Sequence, residues 1–223
     1  MEANGNGRMR VLTIGVGSPV NLESWPGAEV VSLDVAEEAA PDYLVDCLWN
    51  WNLSSSELFP FAEDITDEHF DLVVATHALQ CVPRVRVVET LKYWSGVLRP
   101  GGELHVIVPD LGWAADEIAA ERSVEKMTLG VIYGTQQAEW AYHRSGFTVD
   151  LLRAAVFAAG LQARAARLGP YKITSVGADG KVRELVARQI YVVAVKPNNG
   201  SQDKADRHGS EDETDEEAGD EGL

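Results

Sequence analysis

Two short apolar runs between Arg10 and Asp34 each stop at a residue that a buried strand end can use for binding. Val11-Leu12-Thr13-Ile14 stops at Gly15-Val16-Gly17, and Val30-Val31-Ser32-Leu33 stops at Asp34. Near-continuous apolar runs rich in branched residues suit strands buried on both faces, and such strands are parallel and covered by helices. The feature therefore commits the chain to an α/β sheet. Glycines after the first strand let the backbone turn sharply and let a ligand come close. A carboxylate ending the next strand is placed to accept hydrogen bonds from ribose hydroxyls. Gly15, Gly17 and Asp34 thus form a candidate nucleoside site.

The rest of the chain supplies more strand ends of the same kind. Tyr43-Leu44-Val45 reads as a short strand ending at Asp46, and Phe70 to Ala75 as a buried strand ending at Thr76-His77. Apolar residues recur at three- and four-residue steps from Val85 to Leu98, which predicts a helix. Pro100-Gly101-Gly102 is expected to stop that helix and turn the chain. Leu104 to Val108 reads as a strand closed by Pro109-Asp110. Helices are predicted from Trp113 to about Leu129 and from Thr148 to Ala159. The second starts at Thr148, carries Asp150 in its first turn and stops at Gly160. Leu161 to Leu168 and Gln189 to Val195 read as two last strands, joined by an antiparallel return rather than a helical crossover. Ligands of such sheets bind beyond the carboxyl ends of the strands. Gly15, Asp34, Asp46, His77 and Asp110 all fall there.

Charge divides the chain. Residues 199–223 hold ten Asp and Glu against Lys204 and Arg207, which is half of the formal net charge of −16 over 223 residues. The expected organisation is a disordered segment 1–8, one domain over 9–197 and a disordered acidic tail over 198–223. Neither part offers a basic surface for nucleic acid. Cys47 and Cys81 lack metal-ligand spacing and a disulfide framework, no run of 18 apolar residues occurs, and no apolar leader precedes Arg10. A soluble, cytoplasmic protein without a structural metal fits these features. Oligomeric state is left open.

Several segments, in this order, resemble the class I S-adenosylmethionine-dependent methyltransferases, in the small-molecule group called type 11. They are Ile14-Gly15-Val16-Gly17, Ser32-Leu33-Asp34, Val45-Asp46, Phe70-Asp71-Leu72-Val73 and Thr76-His77-Ala78-Leu79. Leu98-Arg99-Pro100-Gly101-Gly102-Glu103-Leu104, Val108-Pro109-Asp110-Leu111, Tyr133-Gly134-Thr135-Gln136 and His143-Arg144-Ser145-Gly146-Phe147 complete the set. The resemblance implies a Rossmann-like, seven-stranded, mostly parallel sheet with an antiparallel C-terminal strand pair. It implies S-adenosylmethionine as cofactor. Gly15 and Gly17 would pass its methionine part, Asp34 would hold the ribose, Asp46 would lie near the adenine, and Thr76 would face the sulfur. His77 and His143 become candidate catalytic bases, and Tyr133 and Gln136 candidate substrate-side residues. The acceptor would be a small or glycan-like molecule.

Other readings stand beside this one. The family pattern has an acid where this chain has Thr13, a third glycine near Pro19, and Glu-His where it has Gln80-Cys81. These departures suit a catalytically silent binding module of the same fold. A nicotinamide-dependent oxidoreductase ranks last, because Val20 replaces the third glycine of a dinucleotide fingerprint and Pro26 interrupts the following helix. His77 and His143 can equally be histidines satisfied by backbone, Asp110 a helix cap, and Trp49 and Trp51 packing under a loop.

Overall fold

The computed structural model describes residues 8–15, 26–44, 69–120, 126–176 and 181–198. The strands are β1 (Arg10–Ile14), β2 (Glu29–Asp34), β3 (Tyr43–Leu44), β4 (Phe70–Thr76), β5 (Leu98–Pro109), β6 (Gln162–Val176) and β7 (Val182–Val195). The helices are α1 (Val87–Gly96), α2 (Leu111–Ala119), α3 (Lys126–Tyr133) and α4 (Val149–Ala158). The strands form one sheet in the order β3-β2-β1-β4-β5-β7-β6. The β1–β2, β1–β4, β2–β3 and β4–β5 pairs are parallel, while β7 runs antiparallel to both β5 and β6. The sequence-based reading of a mostly parallel sheet with an antiparallel C-terminal pair matches this architecture.

The main core joins Leu12, Ile14, Leu33, Val73, Val106 and Ile190 of the sheet to Leu91 and Trp94 of α1 and to Leu152 and Val156 of α4. Both helices present an apolar stripe to one sheet face, which is what their three- and four-residue spacing dictates. Thr148 accepts the Leu151 amide and starts α4, as its position before Val149 leads one to expect. A separate cluster of Ala114, Val131, Ala187, Tyr171 and Ile173 packs α2 and α3 against the far half of the β6–β7 hairpin.

Three expectations need correction. Pro100-Gly101-Gly102 does not lie between a helix and a strand: α1 ends at Gly96, and the three residues fall inside β5. Phe70 pairs with Leu98 and Leu72 with Glu103, so β5 bulges between them. Gly101, at φ +76°, donates its amide to Lys196 O, which keeps the bulge tied to the end of β7. The helix expected from Trp113 to Leu129 is two helices, α2 and α3. The strands expected over Leu161–Leu168 and Gln189–Val195 continue as one long hairpin, paired from Gln162 with Val195 to Val176 with Val182. Gly169 and Pro170 sit within β6, and since β6 is the edge strand, proline removes no ladder donor that a neighbour needs. The expected β3 residue Val45 and both candidate disordered segments lie outside the described residues, apart from Arg8 and Asn198.

A buried carboxylate locks the amino ends of three strands. Asp71 is 2% exposed, accepts the Arg10 amide at 2.7 Å, and pairs with Arg99 in the β5 bulge. Asp71→Ala leaves a buried amide and a guanidinium without that partner. It is expected to lower unfolding free energy by about 2–3 kcal/mol, read from the urea midpoint. A change below about 0.5 kcal/mol would show that the clasp is not structural.

Candidate functional site

The carboxyl ends of β1, β2 and β4 meet at Gly15. Its amide donates to Leu33 O at 3.0 Å, so the turn after β1 is held against the end of β2. Its φ is +80°, and a Cβ built there would stand 2.3 Å from Thr76 O and 3.4 Å from the Ala78 Cβ. Glycine is required twice over, once by the backbone angle and once by the closeness of β4. Gly17 and Asp46, the other candidate cofactor residues of the first and third strand ends, lie outside the described residues.

Asp34 ends β2 and is 8% exposed. One carboxylate oxygen, Oδ1, accepts the Val35 amide at 2.7 Å and the Ala36 amide at 2.9 Å. The carboxylate therefore shapes its own turn. It also acts electrostatically on Cys81, which follows β4. Burial pushes the Cys81 thiol up to about 11, with Arg144 opposing and Asp34 adding to the shift. Cys81 is thus an inert buried thiol rather than a nucleophile.

Thr76 closes β4, and its Oγ1 is buried without a hydrogen-bond partner. His77 follows in the left-handed region at φ +50°, with its amide on Ile107 O of β5. Its Nε2 lies 3.0 Å from Gln189 Oε1 on β7, and its ring meets the Tyr171 ring of β6 edge-on at 5.0 Å. An amide oxygen can only accept, so Nε2 carries the hydrogen and Nδ1 the lone pair. Gln80, on the Leu79–Cys81 turn, donates Nε2–H to His77 O at 2.6 Å, and its Oε1 is buried without a partner.

The second imidazole arrives on the segment between α3 and α4. Gln80 O accepts the amides of Arg144 (2.8 Å) and Ser145 (2.9 Å), and Ser145 Oγ donates to Val82 O at 2.5 Å. His143 donates its amide to Tyr133 O at 3.0 Å, and its Nδ1 lies 3.0 Å from Val131 O. A carbonyl partner fixes the hydrogen on Nδ1 and the lone pair on Nε2. Burial lowers the pKa of both histidines; for His77 the Gln189 bond opposes this. For His143 the Val131 bond opposes it, and charge on His77 lowers it further. Both rings are therefore neutral at pH 7, and a charge on His77 is felt at His143. Tyr133 contributes its carbonyl to this arrangement while its side chain is 54% exposed. Gln136, at φ +57°, lies with Tyr142 and His143 in the wall of an open depression of about 580 Å³.

Asp110, read as either a pocket residue or a cap, is a cap: Oδ1 accepts the Gly112 and Trp113 amides at the start of α2. Its Oδ2 also pairs with Arg188 at 2.6 Å, which fixes the hairpin beside Gln189. From sequence, Gln80 stood out only as a departure from the family pattern, and Gln189 and Tyr171 did not stand out. Gln80 had a weak signal, its place just after β4; the other two had none, because only β-sheet pairing brings them to His77. Among the described residues no cluster of His, Cys, Asp and Glu could hold a metal ion, and no helix is long and apolar enough to cross a membrane.

Comparison with known proteins agrees with this geometry. A family model described as a methyltransferase domain matches residues 12–106, the segment that builds β1 through most of β5. The fold is similar to a SAM-dependent methyltransferase of Anabaena variabilis (TM-score 0.57, 13% identity, 84% of this chain and 77% of that one). It is also similar to one from Methanosarcina mazei (TM-score 0.54, 16% identity, 86% and 94%). A third is the 1,6-didemethyltoxoflavin-N1-methyltransferase of Burkholderia thailandensis, solved with its acceptor and S-adenosylhomocysteine (TM-score 0.51, 17% identity, 86% and 73%). At these identities the likeness is one of fold. No curated protein matches the chain by sequence.

Two outcomes follow from the site geometry. Gly15→Ala forces a Cβ into Thr76 O at an unfavourable φ and is expected to cost about 2–4 kcal/mol of stability, seen as a lower melting temperature. An unchanged melting temperature would mean that the β1 and β4 ends are not in contact. The histidines set a pH limb. Because their folded pKa values lie below the ordinary 6.5, the unfolded chain binds more protons in that range. Their stabilisation is complete above about pH 6.5 and is lost as pH falls through the lowered folded values. The urea midpoint should therefore drop between pH 7 and 5, and His77→Gln/His143→Gln should flatten that drop. An equally steep drop in the double variant would place the titrating groups elsewhere.

Proposed function

We propose that the chain is a class I S-adenosylmethionine-dependent methyltransferase of the type 11 group and that it methylates a neutral hydroxyl or amine of a small or glycan-like acceptor; the match of a methyltransferase-domain model to residues 12–106 and the likeness of fold to SAM-dependent methyltransferases support this reading. The observation that carries the acceptor reading is His143: its Nδ1 is bound to Val131 O and the residue lines the open depression. A neutral imidazole with Nε2 available beside a cavity is suited to take a proton from a nucleophile.

The residues fit the cofactor. Gly15 brings backbone as close to β4 as a missing Cβ allows, and Asp34 stands at the end of β2, where its Oδ1 accepts two backbone amides. Thr76 Oγ1 is a buried hydroxyl lacking a partner, the kind of group a polar ligand satisfies. When bound, S-adenosylmethionine supplies an activated methyl on a sulfonium, so no covalent work falls to the protein. The chain's own part is to bind, align and dehydrate. In this reading Gly15, Gly17, Asp34, Asp46 and Thr76 hold the cofactor, Gln136 and Tyr133 border the acceptor, and His143 Nε2 takes the acceptor's proton. His77, deeper at the end of β4, offers Nδ1 as a hydrogen-bond acceptor that orients the nucleophile. The same reading keeps the protein in the cytoplasm, with residues 199–223 as a solvating tail. The silent-module alternative draws on Thr13, whose Oγ1 lies 3.5 Å from Val31 O and which brings no charge to the site.

Titration calorimetry with S-adenosylhomocysteine is the first test, and no heat at millimolar ligand would remove the enzyme reading. The choice of substitution at Asp34 separates binding from folding. Alanine removes the acceptor of two backbone amides and should cost about 1–2 kcal/mol of stability. Asp34→Asn keeps a carbonyl cap, so its melting temperature should stay near wild type while affinity falls about 10- to 100-fold. Wild-type affinity in Asp34→Asn would place the ribose elsewhere. With methyl-labelled cofactor and a panel of sugars, phenols and amines, His143→Gln should lower turnover about 10²- to 10⁴-fold with calorimetric affinity retained.

A further inference from the structure

We propose that Gln189 is a positioning residue, holding His77 as the Nε2–H tautomer so that Nδ1 carries the lone pair at the end of β4. The assignment rests on the reading of the two imidazoles as the site's polar pair.

Gln189 reaches this place through sheet register. It pairs with Pro109 at the end of β5 and with Gly169 of β6, and its neighbour Arg188 accepts the Asp110 amide on its carbonyl while clamping the Asp110 carboxylate. Two strands and a helix cap therefore fix the backbone from which the amide side chain extends. Two residues away along the paired strand, Tyr171 turns its ring edge to the same imidazole. Burial raises the Tyr171 phenol to about 12, so it stays neutral and lends His77 no charge. Titratable groups around His77 include Tyr171 from β6, His143 from the α3–α4 segment, which feels charge on His77, and the Arg188–Asp110 ion pair beside Gln189. β5 contributes Ile107 O to its amide, and the turn after β4 contributes the neutral Gln80 amide to its carbonyl.

The amide does three things that a hydrophobic residue could not. It fixes which ring nitrogen bears the hydrogen. It resists, through its hydrogen bond, the loss of basicity that burial imposes on His77. Being neutral, it leaves the ring uncharged at pH 7, where a carboxylate in its place would draw a proton onto the ring and, through that charge, depress His143. Neutral His77 and neutral His143 leave two lone pairs and no cation, which favours an uncharged acceptor bearing hydrogen-bond donors over a carboxylate.

The test uses the full chain with saturating S-adenosylhomocysteine and ¹⁵N-labelled histidine. In wild type the ring nitrogens of His77 should report the Nε2–H form and those of His143 the Nδ1–H form at neutral pH. Gln189→Glu should raise the His77 pKa by about one or more, as a facing carboxylate does, and lower that of His143 further. Gln189→Leu should lower the His77 pKa and mix its tautomers, with Gln189→Asn or Gln189→Glu restoring a single form. Ligand affinity should stay within about twofold in all of them. An Nδ1–H tautomer for wild-type His77, or a Gln189→Glu variant that leaves both histidine titrations unmoved, would overturn the proposal. Failure of wild type to bind S-adenosylhomocysteine would instead overturn the cofactor site and leave the tautomer measurement, made on the free protein, to decide on Gln189.

Discussion

Thr76 O and Gly15 stand so close that no methyl group fits between them, and the geometry of the site follows from that contact. β1 and β4 are neighbours in the middle of the sheet, paired from Val11 with Leu72 to Ile14 with Ala75. Their register delivers the β1 turn onto the last carbonyl of β4. The Gly15 amide on Leu33 O then adds the end of β2. Three strand ends are thereby fixed by backbone alone, before any side chain is considered. A ligand site built on such a frame does not need its loops to be rigid, because the groups nearest the frame are held by the ladder itself.

The opposite wall depends on side chains and on distant sequence. Gln80 O collects two amides from residues 144 and 145, and Gln189 approaches from a strand more than a hundred residues beyond His77. Both contacts converge on the turn after β4. Between them lie two buried polar atoms without partners, Thr76 Oγ1 and Gln80 Oε1, and two histidines kept neutral by burial. Leaving a buried polar group unpaired costs about 1–3 kcal/mol, and folded proteins keep few of them. At the end of β4 such atoms are the kind of group that a polar ligand satisfies.

Much of the fold was legible in the sequence. The buried runs of β1, β2 and β4, the periodicity of α1 and the Thr148 cap of α4 are local signals, and each maps to the element expected. The misreadings have physical causes. Pro100-Gly101-Gly102 looks like a stop because both residue types break regular ladders, yet a bulge tied to Lys196 absorbs them within β5. Gly169 and Pro170 look like a loop, but an edge strand has an unpaired side on which proline is tolerated. Asp110 was ambiguous between cap and ligand; two amides and Arg188 occupy it.

From the sequence alone came the parallel sheet, the glycine turn, the acid at the end of β2 and the two histidines worth attention. These are set by apolar patterning and by the limited number of residues that suit a strand end. What the histidines can do was decided only by the folded chain. Which ring nitrogen carries a hydrogen depends on the acceptor opposite it, Gln189 Oε1 for one and Val131 O for the other. Those partners are brought in by antiparallel pairing and by the turn out of α3. A hydrogen bond between residues far apart in sequence leaves no periodic trace in either segment, so the protonation pattern of the site belongs to the tertiary structure.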